Sequence, residues 1–355
     1  GPWREFELDL RSLSLYLRFG YIPAPHSIYT SVAKLAAGSG LTIHSDGQVH
    51  RWCYWSAEEV VRRGAEDPFG GTEAQAIAQL EALLLEAVRL RMVSDVPLGA
   101  FLSGGVDSSV VVALMQQLTT RAVKTFSIGF REPGFDEAPY ARAVAAHLGT
   151  DHTEVYVTPE EALGVVPSLG SVYSEPFADA SQVPTLLLSR LARQSVTVAL
   201  SGDGGDELFH GYDLYATVER HWRRTRRVPR SLRSAARWAL PASRDLYAAL
   251  AERPGFGTSG LRWLHPLHRQ LGYLAASKFG HVHAACHALN PVPELLMASP
   301  VTAAPPMLDV GPRGLSHPNW QMAADLVQYL PEDILMKVDV ASMASSLEVR
   351  VPILD

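Results

Sequence analysis

Lysine is scarce in this chain. Lys34, Lys124, Lys278 and Lys337 are the only four among 31 basic residues, the rest being arginine. A sequence that uses arginine almost everywhere makes each remaining lysine worth explaining. Cysteine is scarcer still. Cys53 and Cys286 cannot staple 355 residues, which excludes a disulfide scaffold. No stretch approaches the roughly 18 unbroken apolar residues of a spanning helix, so no membrane partner is expected. Gly1-Pro2-Trp3-Arg4 lacks the basic stretch leading into an apolar one that marks a secretory leader. A reducing, cytoplasmic setting is the expectation. Excess positive charge is missing too: the net charge of −6 argues against a general nucleic-acid binder. Disorder is excluded by 47% hydrophobic against 19% charged residues.

What is there reads as an α/β chain. Residues 1–71 are punctuated by Pro23, Pro25, Gly38, Gly40 and Gly47, and read as an irregular arm with a small hairpin turning at Asp46-Gly47. Residues 72–355 read as the main domain. Thr72 can cap a helix from Glu73 to about Met92. An apolar run, Val96 to Leu102, then ends in Ser103-Gly104-Gly105-Val106-Asp107-Ser108-Ser109 and passes straight into a helical stretch. Further strands are expected over Lys124–Phe130, Thr153–Val157 and Val196–Leu200, with intervening helices from Asp136 to His147 and from Val183 to Arg193. Alternation of this kind predicts a doubly wound parallel sheet, whose ligands bind beyond the carboxyl ends of the strands. Residues 212–330 read as mainly helical.

Both glycine-rich turns fall at that edge. In Ser103–Ser109 the glycines let backbone N–H groups approach an anion, the helix N-terminus adds partial positive charge, and three serines add donors. The string is neither Gly-x-x-x-x-Gly-Lys nor Gly-x-Gly-x-x-Gly. An aspartate inside a phosphate loop calls for a cation between them, so Asp107 reads as a Mg²⁺ ligand. The second turn, Ser201-Gly202-Asp203-Gly204-Gly205-Asp206-Glu207, crowds carboxylates that a cation or cationic substrate must relieve. Asp206 could share the metal with Asp107, and Asp203 could bind an amine or position a nucleophile.

These strings, with Thr125–Phe130, Glu175-Pro176-Phe177-Ala178-Asp179, Tyr329–Asp339 and Ser346–Pro352, resemble the synthetase domain of class-B glutamine-hydrolysing asparagine synthetases, within the adenine-nucleotide alpha-hydrolase-like superfamily. The resemblance covers nearly the whole chain. It implies that ATP adenylates the β-carboxylate of aspartate and that ammonia then displaces AMP, giving asparagine, AMP and pyrophosphate. By position, Ser103, Gly104, Gly105, Ser108 and Ser109 would cradle phosphate, and Leu102, Ile128, Ser201 and Gly202 would hold the nucleotide. Asp107 and Asp206 would bind Mg²⁺–pyrophosphate. Asp203 and Lys337 would be catalytic. Asp203 stands where many members carry glutamate. Lys337 lies in an apolar stretch, where an ammonium could neutralise developing charge, and is the leading catalytic residue; pairing on its helix face with Asp339 or Glu332 is the alternative. The family's N-terminal glutaminase domain, which would supply ammonia, and its C-terminal end are expected to be absent from this piece, with a homodimer allowed. Relatives that form lactams, lasso peptides or sugar-acid amides leave the carboxyl substrate open, and an inactive fragment is a further alternative.

Three other features are weighed on their own. Cys53, in Arg51-Trp52-Cys53-Tyr54-Trp55, reads as buried or structural. The arginines at 223, 224, 226, 227 and 230 read as a solvated helix face. His281, His283, Cys286 and His287 cluster, and His283 and His287 share a helix face that could bind Zn²⁺. No supporting acid lies nearby in sequence, so a histidine-rich surface helix is the expectation.

Overall fold

The computed structural model describes residues 6–131, 134, 136–251, 264–290 and 314–355. Those within 1–65 and 212–328 form one compact unit, and those within 66–211 and 329–355 a second.

In the first unit β1 (Ser39–Ile43) pairs antiparallel with β2 (Val49–Cys53) about a turn in which Gly47 has a φ of 83°. The expectation of an irregular arm is corrected by two ten-residue helices, Leu10–Phe19 and Ala57–Glu66. The first has clear stop signals. Asp9 accepts a hydrogen bond from the Arg11 amide, and Gly20 closes the helix in the left-handed region. Prolines at 23 and 25 lie just past that closure and mask it in the pattern. Helices Asp213–Arg227, Leu264–Ala275, Phe279–His287 and His317–Ala324 follow. They pack Val218, Trp222, Tyr273, Ala276, Phe279 and Val282 into a shared core. Arg223, Arg224, Arg226, Arg227 and Arg230 are exposed, as a solvated face requires. Parts of the expected 212–330 helical region, 252–263 and 291–313, lie outside the described residues.

The second unit is α/β. Thr72 and Gln75 form a reciprocal capping box that opens the helix Glu73–Arg91. Five parallel strands follow: β3 (Leu98–Phe101), β4 (Lys124–Phe130), β5 (Asp151–Val157), β6 (Val198–Leu200) and β7 (Glu348–Arg350). Their order is β5-β4-β3-β6-β7. β3 begins at Leu98 rather than Val96 because Pro97 has no N–H to give the ladder; its carbonyl instead receives the Thr197 amide at 2.9 Å. Alternation along β3 divides the core. Ala100 and Leu102 pack against Val111, Val112 and Met115 of helix Val106–Leu118. Phe101 packs on the other side with Phe126, Ala192 and Leu347. Helix Ala138–Leu148 also follows the expected pattern, its first amide bonded to Asp136 and its end closed by Gly149. The chain runs from β3 outward to β4 and β5, then returns to place β6 on the opposite side of β3. The gap between β3 and β6 is therefore the topological switch point, where ligands of such sheets bind.

Among the described residues no helix is long and apolar enough to cross a membrane.

Candidate active site

The turns that follow β3 and β6 meet at the switch point. Gly202 lies flat against the first turn: a β-carbon there would stand 2.6 Å from the Ser108 amide nitrogen and 2.8 Å from the Asp107 carbonyl carbon. Gly205 likewise has no room for a side chain, because the Asp107 carboxylate occupies that space. Glycine at 202, where the facing atoms are backbone, is thus a condition of the close approach, whereas at 205 it is the Asp107 side chain that would have to move.

The first turn is organised by its own hydroxyls. Ser103 Oγ and Ser108 Oγ lie 2.9 Å apart, and the Gly105 amide donates to Ser103 Oγ at 3.2 Å. Ser109 Oγ donates to the Gly105 carbonyl at 2.6 Å. Gly104 adopts a φ of 83° and is pressed onto the backbone of Tyr140 and Ala141, so the loop cannot relax outward. Leu102 is buried in the sheet core and can offer a ligand only its backbone. The second turn is held from its far side, where the Ser201 amide donates to the Arg350 carbonyl of β7 at 2.9 Å. Ile128 is half-buried and lines a depression with Val155, Val157, Leu187 and Arg190.

Three carboxylates converge where the turns meet. Burial, and then the charge of Asp203, raise the Asp107 carboxyl above the usual carboxylate range. Burial, then Asp107 and Asp203, raise Asp206 in the same sense. Burial also raises Asp203, against the opposing pull of Lys337. Asp107 and Asp206 are thus each disfavoured as ions by a neighbouring carboxylate, which a bound cation would relieve.

Lys337 is buried in helix Met336–Met343, and its partner is neither Asp339 nor Glu332. Its ammonium donates to Asp179 Oδ2 at 2.8 Å and to Ser181 Oγ at 2.7 Å. Asp179 also accepts from the Ser181 amide and hydroxyl, both at 2.7 Å. Burial pushes the Asp179 carboxyl up, but Lys337 and Ser181 together outweigh it and hold it below the ordinary value. Asp179 and Ser181 were not among the expected site residues. The Glu175–Asp179 string had marked the segment without giving it a role.

Asp107, Asp203, Asp206, the Ser103–Ser109 loop and Ser201–Gly202 are therefore gathered at one edge, with Lys337 within electrostatic reach of Asp203. Residues 79–355 match the family model described as asparagine synthase. The chain belongs to the asparagine synthase family. It is 31% identical over 356 residues to "Asparagine synthetase [glutamine-hydrolyzing] 1" of Bacillus subtilis, covering 99% of this chain and 52% of that protein. It is 32% identical over 362 residues to "Putative asparagine synthetase [glutamine-hydrolyzing]" of Mycobacterium bovis, with 98% and 51% covered. A third relative, "Putative asparagine synthetase [glutamine-hydrolyzing] 2" of Methanocaldococcus jannaschii, is 38% identical over 237 residues, which are 66% of this chain and 44% of that one. The chain spans about half the length of the curated relatives it matches.

Two smaller expectations are corrected. Cys53 is exposed, on a strand with every residue exposed, and its thiol donates to the Trp55 carbonyl at 3.0 Å. The helix carrying His283 and His287 is not a surface helix: the His283 side chain is fully buried and that of His287 is 7% exposed.

Proposed function

We propose that this family member carries the amide-forming half of an asparagine synthetase reaction: ATP-dependent amidation of the aspartate side-chain carboxylate. In this reading a carboxylate oxygen of aspartate attacks the α-phosphorus of ATP and pyrophosphate leaves. The nitrogen of ammonia then adds to the acyl carbon, AMP departs with the bonding pair, and a proton is lost. Ammonia would come from glutamine hydrolysis by a glutaminase partner, or be supplied free.

The observation that carries the reading is the close approach of Gly202 to Asp107 and Ser108, which brings a serine–glycine loop and three carboxylates of raised pKa to the switch point of one sheet. Amides and hydroxyls of Ser103, Gly104, Gly105, Ser108 and Ser109 would receive phosphate oxygens. Leu102, Ile128, Ser201 and Gly202 would hold the rest of the nucleotide. Oxygen-only donors suit Mg²⁺, and Asp107 and Asp206 are the pair to hold it. Bound there, the ion would neutralise charge on the leaving pyrophosphate. Asp203, raised by burial, is suited to take the proton that ammonia gives up. Lys337 has two of its three donors engaged by Asp179 and Ser181, which aims the ammonium and leaves one N–H for an oxygen that gains charge as the acyl group reacts.

The test is AMP release with ammonia as nitrogen donor, run with aspartate, without it, and with a panel of other acids. Release that depends on aspartate supports the reading. Release dependent on another acid transfers the chemistry to a different amide-forming ligase. If no acid elicits AMP and Mg²⁺–ATP does not raise the melting temperature, the chain is not a ligase. Saturating ligand at a hundred times its Kd should stabilise by about 2.7 kcal/mol.

A further inference from the structure

His283, His287 and Asp325 form a buried cluster in the first unit, which does not contain the glycine-rich turns. His283 and His287 are one turn apart on helix Phe279–His287, with ring centroids 4.1 Å apart. Asp325 arrives from 38 residues further along, at the end of helix His317–Ala324, where the winding widens into a π-helix. Such widenings often mark functional sites. Asp325 is the acid that the local sequence around the histidines lacks.

Hydrogen bonding does not account for the arrangement. Nε2 of His283 and Nε2 of His287 lie 3.3 and 3.4 Å from the same oxygen, Asp325 Oδ1. Yet both carboxylate oxygens of Asp325 and both ring nitrogens of His283 are buried without a hydrogen-bond partner. Such atoms are costly unless something else satisfies them, and His283 Nε2 and the two carboxylate oxygens are the three that one shared cation could satisfy. The tautomer of His287 sharpens the point. Its Nδ1 faces the His283 carbonyl at 3.1 Å and must donate there, since a carbonyl only accepts. In the neutral ring Nε2 then carries a lone pair, aimed at a carboxylate oxygen that carries lone pairs of its own. Only a proton or a metal cation reconciles them.

The spacing matches a metal. Ligand atoms about 2.0–2.1 Å from a tetrahedral zinc ion stand about 3.3–3.4 Å from one another, the separation of each histidine nitrogen from Asp325 Oδ1. The backbone hydrogen bond at His287 Nδ1 is the outer contact that usually orients a metal-ligating imidazole. We propose that His283 Nε2, His287 Nε2 and the Asp325 carboxylate bind a zinc-type divalent cation. Its role is structural: it cross-links helix Phe279–His287 to the segment beginning at Asp325.

The test uses the 355-residue chain stripped with a chelator and titrated with Zn²⁺ alone by calorimetry, and with Co²⁺ followed by visible absorption. Expected are one Zn²⁺ per chain, an intense tetrahedral Co²⁺ spectrum, and a melting temperature that falls on stripping and returns with Zn²⁺. His287→Gln and Asp325→Asn should each weaken Zn²⁺ binding by 10-fold or more. A stripped, folded chain that takes up no Zn²⁺ would show that the trio is a protonated histidine–aspartate cluster and overturn the proposal. So would uptake unchanged in both variants, which would place the ion elsewhere. Should either variant fail to fold, the Co²⁺ spectrum of the unsubstituted chain decides. None of these readouts depends on the ligase reading.

Discussion

Lys337 and Asp179 are joined at 2.8 Å across 158 residues of sequence, and Ser181 completes the contact at 2.7 Å from the same ammonium. The pair is mostly buried, with side-chain exposures of 9% and 18%. Removing one partner leaves the other charge uncompensated. Lys337→Ala should cost about 2–4 kcal/mol of stability, measured by denaturant unfolding, as well as slowing the chemical step. Asp179→Asn keeps an oxygen for the Ser181 amide and hydroxyl but leaves the buried ammonium unpaired beside a new Nδ2 donor, so it should cost a similar amount. If Lys337 acts on the reacting atoms, Asp179→Asn should lower kcat while leaving the apparent affinity for ATP within a few-fold. Unchanged kcat in both variants removes Lys337 from the mechanism.

Asp107→Asn separates binding from folding. The Asp107 carboxylate occupies the space above Gly205 and disfavours ionisation of Asp206. Neutralising it should raise the melting temperature of the ligand-free chain slightly, by about 1–2 °C, through relief of like-charge repulsion. The same change should abolish AMP formation and the stabilisation by Mg²⁺–ATP. A variant that melts lower, or one that still forms AMP, contradicts the metal assignment.

Acid should act on the two parts of the site at different pH. Asp107, Asp203 and Asp206 are all raised, so on acidification they take up protons before a free aspartate does. Mg²⁺–ATP affinity should therefore begin to fall above the normal carboxylate midpoint. Asp179 is lowered, so the stability from its pair with Lys337 is present above the ordinary aspartate value and is lost only as pH falls below it. Calorimetric titration of Mg²⁺–ATP and thermal melting over the same pH series should show binding failing first. Coincident loss would refute the ordering.

Gly202→Ala tests the close approach of the turns directly. The new methyl would meet backbone of Asp107 and Ser108 at 2.6–2.8 Å, where no flexible side chain can yield. Overpacking of this kind should cost about 1–3 kcal/mol. Nucleotide affinity should fall with it, because the turn must move. Gly70→Ala, with no atoms within 4 Å and no left-handed φ, controls for an added methyl without a clash.

Legibility in the sequence followed the range of the forces involved. Strand β4 and helix Gln182–Arg193 were readable because alternation and helical periodicity are local, and both fall within a residue of expectation. The serine–glycine turns were readable because their composition has a chemical reason. β7 was not: Glu348-Val349-Arg350 is three residues long and becomes a strand only by pairing with Val198–Leu200. The partner of Lys337 was hidden for the same reason, since Asp339 and Glu332 are near in sequence while Asp179 is near only in space. Asp325 is not legible as a neighbour of the histidines because 38 residues separate it from His287.

β7 also sets an order of events during synthesis. The Ser201 amide that anchors the second turn donates to Arg350, so the nucleotide edge of the sheet stays unfinished until almost 150 further residues have been made. Until then β6 exposes a bare, wholly apolar flank of Val198, Ala199 and Leu200, a template for stray pairing between nascent chains.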